Sequence, residues 1–463
     1  MPNVTSEGKI DSGTEALLEA EGLGRCPLPE RLTYDGKGFA RLTHYIFRFP
    51  AKFHPPVIRA LLDTYTRPGD RILDPFCGSG SLLVEAAVSG RHAVGTDIDP
   101  VAVFVSRVKT RRFDIPGLAN TLDRLTNALR TSTHPAAVYE ERQFIDLPQP
   151  DVDAAIAGEE LWVPAIPNLA HWFRRYVILD LARLRKQILA LEAPEDHRDF
   201  LLLCFASIIR AASNADPVPV SGLEVTAYMK QRDEAGRVVD PFALYALATH
   251  RALAAVSEFT AKAHSGVEIA AFAADATTLA SHQLAPADAV ITSPPYHNAV
   301  DYYRRHQLEM FWLGLTRTQS ERLALLPRYI GRPNVPASHP YVQDERELSP
   351  LARSWEARIR QVSTGRANDF RHYIVAMHRT FEQLARVIRP RGCALFVVGH
   401  SSWNNSEIPT AALFIELAGS AFVIEEQLWY PIKNRYMSYS RHNGASIEKE
   451  YVLVFRRTNA PPG

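Results

Sequence analysis

The sequence has 463 residues, 46% hydrophobic and 22% charged, with Lys plus Arg at 52 against 51 for Asp plus Glu. This length suits roughly two to four domains or one catalytic domain carrying insertions, and the composition excludes fibrous, collagen-like and wholly disordered chains. A formal net charge of +1 exerts no global pull on a polyanion, so any nucleic-acid footprint has to be local. The cysteines Cys26, Cys77, Cys204 and Cys393 form no C-x-x-C pair, which predicts free thiols in a reducing compartment and no metal site. No apolar run approaches the ~20 residues a membrane span needs, and the N-terminus is polar and acidic. A cytoplasmic protein without a membrane partner is the expectation.

In chain order, residues 1–24 are rich in Ser, Gly, Glu and Thr and read as a mobile tail. From Arg71 a short apolar run ends in Asp74-Pro75-Phe76-Cys77-Gly78-Ser79-Gly80-Ser81 and passes at once into the helical stretch Leu82–Val88. That is a strand, a glycine turn and a helix. A second strand ends at Asp97-Ile98-Asp99-Pro100 and leads into another helix, so the unit is βαβα with the length of a nucleotide-binding half. The same grammar resumes only with Val267–Ala273, ending at Asp275, and with Ala287–Thr292, ending in Ser293-Pro294-Pro295-Tyr296. The gap between, 113–264, reads as a mostly helical insertion, with apolar residues at helical spacing in Tyr176–Leu191 and Arg198–Ala212.

Beyond Tyr296, residues 315–368 carry scattered prolines and read as a loop excursion. A helix over Phe370–Ile388, a strand over Cys393–Val398, a helix over Ile408–Leu417 and two closing strands, Val423–Trp429 and Tyr451–Phe455, complete the chain. With no helix between them, the last two strands are expected to be antiparallel. The predicted catalytic domain is therefore 25–112 plus 265–463.

The glycine turn lets the backbone approach a ligand and opens onto a helix N-terminus. Asp74 and Pro75 stand where a dinucleotide fingerprint has its first glycine, and no Lys-Ser or Lys-Thr follows, so neither NAD nor ATP is the first choice. Asp97 is placed to accept from ribose hydroxyls, and Asp275 from an adenine amino group. Helix capping by Asp74 and Asp97 is the plain alternative for either residue alone. In Ser293-Pro294-Pro295-Tyr296 two prolines remove two backbone donors and leave a rigid acceptor. The Ser293 hydroxyl and the Pro294 carbonyl would hold the two hydrogens of an exocyclic amine, and the Tyr296 ring offers a face for a base to stack on.

Here the sequence resembles a known family. Asp74–Ser81 is similar to motif I, and Thr292–Tyr296 to motif IV, of the S-adenosylmethionine-dependent amino-methyltransferases of DNA; Ser-Pro-Pro-Tyr is similar to the cytosine-N4 form. Phe49–Pro56 resembles their motif X, which lies against the methionine end of the cofactor. The resemblance implies a class I methyltransferase-like (Rossmann-like) α/β fold, a mostly parallel seven-stranded sheet with an antiparallel closing strand. It implies S-adenosylmethionine as cofactor, held by Lys52, Phe53, Asp74, Pro75, Phe76, Gly78, Gly80, Asp97, Ile98, Asp275 and Ala276.

Ser293, Pro294, Pro295 and Tyr296 are then the catalytic residues, acting on a base flipped out of duplex DNA. The motif order is X, I, then IV, and the insertion falls between the second and third strands, where it is the candidate target-recognition region. Arg304 and Arg305, interleaved with Tyr302 and Tyr303, and Lys433, Arg435 and Arg441, near Tyr436 and Tyr439, are the candidate DNA-binding residues. The resemblance leaves room for a cognate restriction endonuclease as partner. Adenine N6 and RNA bases are the alternative targets, and a non-catalytic DNA-binding regulator retaining the fold is the alternative of another class.

Overall fold

A computed structural model describes residues 29–35, 42–217, 222–297, 301–404, 406–432 and 449–459. Ten strands are found among these residues: β1 (Glu30–Arg31), β2 (Arg71–Asp74), β3 (His92–Asp97), β4 (Ile269–Ala273), β5 (Ala287–Thr292), β6 (Ile388–Gly399), β7 (Ser401–Trp403), β8 (Ser406–Ile408), β9 (Phe422–Pro431) and β10 (Lys449–Arg457). Eight form one sheet in the order β1-β9-β10-β6-β5-β2-β3-β4, while β7 and β8 make a separate hairpin. β4, β3, β2, β5 and β6 are mutually parallel; β10 runs antiparallel to both β6 and β9. The seven expected strands are all present. Sequence reasoning missed the eighth, β1, because two residues paired with β9 carry no periodicity to read.

The strands alternate as a sheet covered on both faces requires. Leu73, Val290, Phe396, Val398 and Phe455 meet one layer of helices, Thr364–Val387 and Thr410–Ala418. Ile72, Ile291, Leu395, Val397 and Val454 meet the other, Pro55–Tyr65 and Ser81–Val88. Proline in the first turn with an Asp cap starts Pro100–Lys109 and Pro241–Lys262: Asp99 accepts from Val101 and Ala102, and Asp240 from Phe242 and Ala243.

Between β3 and β4, residues 113–264 are mainly helical, the longest helices being Ile115–Leu129, Arg175–Ala190, Glu195–Ala212 and Pro241–Lys262. Their core takes in helices that flank the sheet: Phe104 and Val105 of Pro100–Lys109 and the fully buried Trp312 share one apolar cluster with Phe173, Phe200 and Phe205. The stretch 315–368, expected as a loop, contains helices at Gln319–Leu325 and Pro350–Val362. Pro350 occupies a first-turn position and so marks a helix start, not a break. Among the described residues no helix is long and apolar enough to cross a membrane. Residues 1–24 lie outside the described residues.

Candidate active site

In this strand order the neighbours of β2 and β5 diverge, β3 and β4 to one side and β6 to the other, which makes the β2/β5 junction the switch point of the sheet. Ligands of open parallel sheets bind in the crevice outside the strand ends at such a point. An open cleft lies there, lined by Lys52, Phe53, Asp74, Pro75, Phe76, Gly78, Asp97, Ile98, Asp275 and Ala276 on one side and by Ser293 and Pro295 on the other. Residues from four strand ends thus share one cavity. Gly80 does not line it. With φ +74° and a hypothetical Cβ only 2.9 Å from Ser106 Oγ, Gly80 instead lets the helix Ser81–Val88 begin against the helix Pro100–Lys109.

The acidic residues are already engaged. Asp74 Oδ1 accepts from Phe76 N at 3.1 Å and from Thr292 Oγ1 at 2.6 Å, which ties the turn after β2 to the end of β5. Asp97 accepts from Gly78 N and Asp99 N, both at 2.9 Å. Asp99 caps its helix with one oxygen and meets His306 Nδ1 at 2.6 Å with the other. Asp275 Oδ1 accepts from Thr277 N at 2.9 Å, and Oδ2 lies 3.5 Å from Arg328 Nε. Burial pushes Asp74 up to about 7 and, with the Asp99 charge adding, Asp97 up to about 6.

Behind the turn, Lys109 Nζ donates to Ser79 O at 2.6 Å and is held well below the usual lysine range by burial. His44 Nε2 meets Glu85 Oε1 at 2.7 Å, Lys52 Nζ donates to His44 O, and burial lowers Lys52 to about 8. Ser79 Oγ and Ser81 Oγ, on the cleft wall, are buried with no protein partner.

At the end of β5, Ser293 and Pro295 face the cleft and Pro294 is buried. Tyr296 is not on the cleft wall; its hydroxyl donates to Glu450 Oε1 at 2.7 Å. Phe49 stacks on Tyr302 at 6.1 Å and leans on His306 at 4.7 Å, which joins the segment before β2 to the one following Tyr296. Cys77 is buried and its thiol is pushed well up, chiefly by that burial, so it is no nucleophile.

Of the candidate DNA contacts, Arg304 is exposed. Arg305 is only 3% exposed, its guanidinium 3.4 Å from the Pro217 carbonyl, and burial brings it down to about 10; it faces the insertion rather than solvent. The short helix Tyr302–Arg305 explains this split, since consecutive helical residues point in different directions. Lys433, Arg435 and Arg441 lie outside the described residues. Sequence reasoning missed Lys109, His306, Arg328 and Glu450. Of these only His306 had a visible signal, its place in the aromatic and basic run after Tyr296.

The order β4-β3-β2-β5-β6-β10-β9, with β10 reversed, is that of a class I methyltransferase. A family model described as DNA methylase matches residues 29–106, which include the Phe49–Pro56 segment, the glycine turn and Asp97. Type II methyltransferase M.MvaI of Kocuria varians is 23% identical over 452 residues, 90% of this chain and 91% of that protein. Type II methyltransferase M.MjaII of Methanocaldococcus jannaschii is 34% identical over 84 residues, 18% of this chain and 16% of that one. Among solved structures, the rRNA methyltransferase aviRa from Streptomyces viridochromogenes covers 88% of both chains at 12% identity, but its TM-score of 0.29 carries no weight. The chain is thus similar to the amino-methyltransferases of DNA, most directly over residues 29–106, and its methyl donor is S-adenosylmethionine.

The cleft residues fit that cofactor. Asp97, with a free lone pair on each oxygen, can accept hydroxyl hydrogens, and Ser79 and Ser81 offer two buried hydroxyls that the protein leaves unsatisfied.

Proposed function

We propose that this protein methylates the exocyclic N4 amine of cytosine in a specific duplex DNA sequence, with the target base flipped out of the helix. The observation that carries the reading is the placement of Ser293 and Pro295 on the same cleft as the glycine turn and Asp97, at adjacent strand ends. In this reading Lys52, Phe53, Asp74–Gly78, Asp97, Ile98, Asp275 and Ala276 hold the cofactor, which when bound supplies a methyl group activated by its sulfonium.

The chemical difficulty lies in the nucleophile. The amine lone pair of cytosine is delocalised into the ring and points nowhere useful while the nitrogen is planar. Acceptance of one amine hydrogen by Ser293 Oγ and the other by the Pro294 carbonyl favours a pyramidal nitrogen with its lone pair turned toward the cleft. Alignment of this kind can contribute up to ~7–11 kcal/mol to lowering the barrier. Pro294 and Pro295 fix φ on both sides of that carbonyl, and the tie from Thr292 to Asp74 fixes the peptide relative to the glycine turn. Stacking on Tyr296 offsets part of the few kcal/mol needed to extrude the base. The buried, protonated Cys77 plays no covalent part.

The test is incubation of the purified protein with S-adenosylmethionine and unmodified duplex DNA, followed by digestion to nucleosides and mass spectrometry. N4-methylcytosine is expected. N6-methyladenine would show that Ser293 does not set base choice, and absence of both products with cofactor binding intact would overturn the reading.

A further inference from the structure

β10 is otherwise a core strand, with Val452, Leu453, Val454 and Phe455 buried in sequence, yet its second residue is a glutamate. Because β10 runs antiparallel, its beginning lies where the parallel strands end, so Glu450 stands at the crevice edge beside Gly399 of β6 and Tyr430 of β9. Each carboxylate oxygen accepts from a different tyrosine: Oε1 from Tyr296 at 2.7 Å, and Oε2 from Tyr430. Tyr430 is buried and packs edge-on against Tyr34, which in turn meets His54. The carboxylate is thus a bridge between the peptide after β5 and a fixed aromatic cluster. A tyrosine whose only task is to present a ring face needs no hydroxyl partner. A charge-assisted bond to a residue more than 150 positions away fixes the ring's direction instead.

We propose that Glu450 is a positioning residue for methyl transfer, holding the Tyr296 ring in the orientation that receives the target base. This rests on the reading of Tyr296 as the stacking surface. Burial and the Glu450 charge both push the Tyr296 hydroxyl up, which keeps it a donor across the working range of pH. Glu450 is not among the residues that line the cleft, so its effect is confined to the methyl-transfer step.

The experiment is single-turnover transfer of tritiated methyl to unmethylated duplex DNA, with S-adenosylhomocysteine affinity measured by calorimetry on the same samples of the full chain. Loss of a hydrogen bond to a charged group predicts a roughly tenfold slower transfer in Glu450→Ala, with S-adenosylhomocysteine affinity unchanged. Glu450→Gln, which keeps one acceptor oxygen for two hydroxyls, falls between that and the wild type. Tyr296→Phe, which keeps the ring but loses both the tie and the hydroxyl's bond to Ser293, slows transfer by at least a similar factor and costs less in the Glu450→Ala background than in the wild type, as coupled residues do. Full-rate transfer in both Glu450→Ala and Tyr296→Phe overturns the proposal, as does a parallel fall in S-adenosylhomocysteine affinity, which would mark a general structural role. Tyr296→Ala separates the two levels. If it is slow while Glu450→Ala is fast, only the positioning role falls; if both are fast, the stacking reading beneath it falls too.

Discussion

On the β2–β4 side of the cleft the carboxylates hold backbone: Asp74 takes Phe76 N, and Asp97 takes Gly78 N and Asp99 N. On the β5–β10 side the principal carboxylate, Glu450, holds side chains, the hydroxyls of Tyr296 and Tyr430. The first arrangement makes the shape of the turn inseparable from the groups that would meet the cofactor. The second leaves the peptide shape to the prolines and uses charge only to orient a ring. Damage to the first side should therefore reach ligand binding and local structure together, whereas damage to the second should reach chemistry alone.

Asp97→Ala tests this contrast most severely. It removes the acceptor of two backbone amides and the proposed hydroxyl acceptor in one step, and hydrogen bonds to charged groups are worth about 1.5–3 kcal/mol each. S-adenosylhomocysteine affinity by calorimetry is expected to fall roughly a hundredfold, using about 1.4 kcal/mol per factor of ten. An affinity within threefold of the wild type would break the comparison on its first side.

Tyr296→Ala is the counterpart. Base stacking on an aromatic ring is worth about 1–3 kcal/mol, so methyl transfer to DNA is expected to drop by roughly ten- to a hundredfold while S-adenosylhomocysteine affinity stays within twofold. An equal loss of cofactor affinity in Asp97→Ala and Tyr296→Ala would merge the two sides into one.

The two sides also differ in pH response. Burial raises Asp74 to about 7 and Asp97 to about 6 in the folded chain, whereas both titrate near the ordinary aspartate value of 3.8 when unfolded. Between those values the native state binds more protons than the unfolded one, so these groups favour folding below about pH 4 and that contribution is lost as pH rises through 6 to 7. Ionised Asp97 is the better acceptor for hydroxyl groups, so cofactor affinity should move the opposite way, rising up to about tenfold from pH 5 to pH 7. Thermal melting without cofactor and calorimetry with S-adenosylhomocysteine, both across pH 5–8, check the two signs. The Asp97→Asn variant should flatten the affinity profile.

Legibility in the sequence followed the same division. Asp74, Asp97, Asp275 and Ser293 could be found because each sits at or just beyond the end of an apolar strand, where chain order alone places it at the crevice edge. The antiparallel closing pair was readable from the missing helix between β9 and β10. Glu450 was not readable, because its place depends on β10 being inserted between β6 and β9 in the reverse direction, a fact of long-range pairing. The Asp99–His306 contact and the Arg328–Asp275 pair join residues far apart in the chain, and neither partner has a local pattern that announces the other. Helix Pro350–Val362 is hidden among the scattered prolines of 315–368, although its own Pro350 sits at a first-turn position that starts a helix.

The smallest expected effect concerns the edge of the site, where sequence put Arg304 and Arg305 together and the structure separates them. Arg304 is exposed, with its guanidinium donating to Leu223 O at 3.2 Å. If it also meets a phosphate, Arg304→Ala should weaken DNA binding by about two- to fivefold and make the slope of log affinity against log salt shallower by about one, with cofactor affinity untouched. Arg305 turns inward to the Pro217 carbonyl, and Arg210 donates to the Arg305 carbonyl at 3.4 Å, so this residue belongs to the seam between the catalytic domain and the insertion. Arg305→Ala should lower the melting temperature by a few degrees, as expected for a loss of about 1–2 kcal/mol in a chain of this size, and leave the salt slope unchanged. A changed salt slope in Arg305→Ala, with none in Arg304→Ala, would reverse the assignment and place the DNA on the insertion side of the short helix.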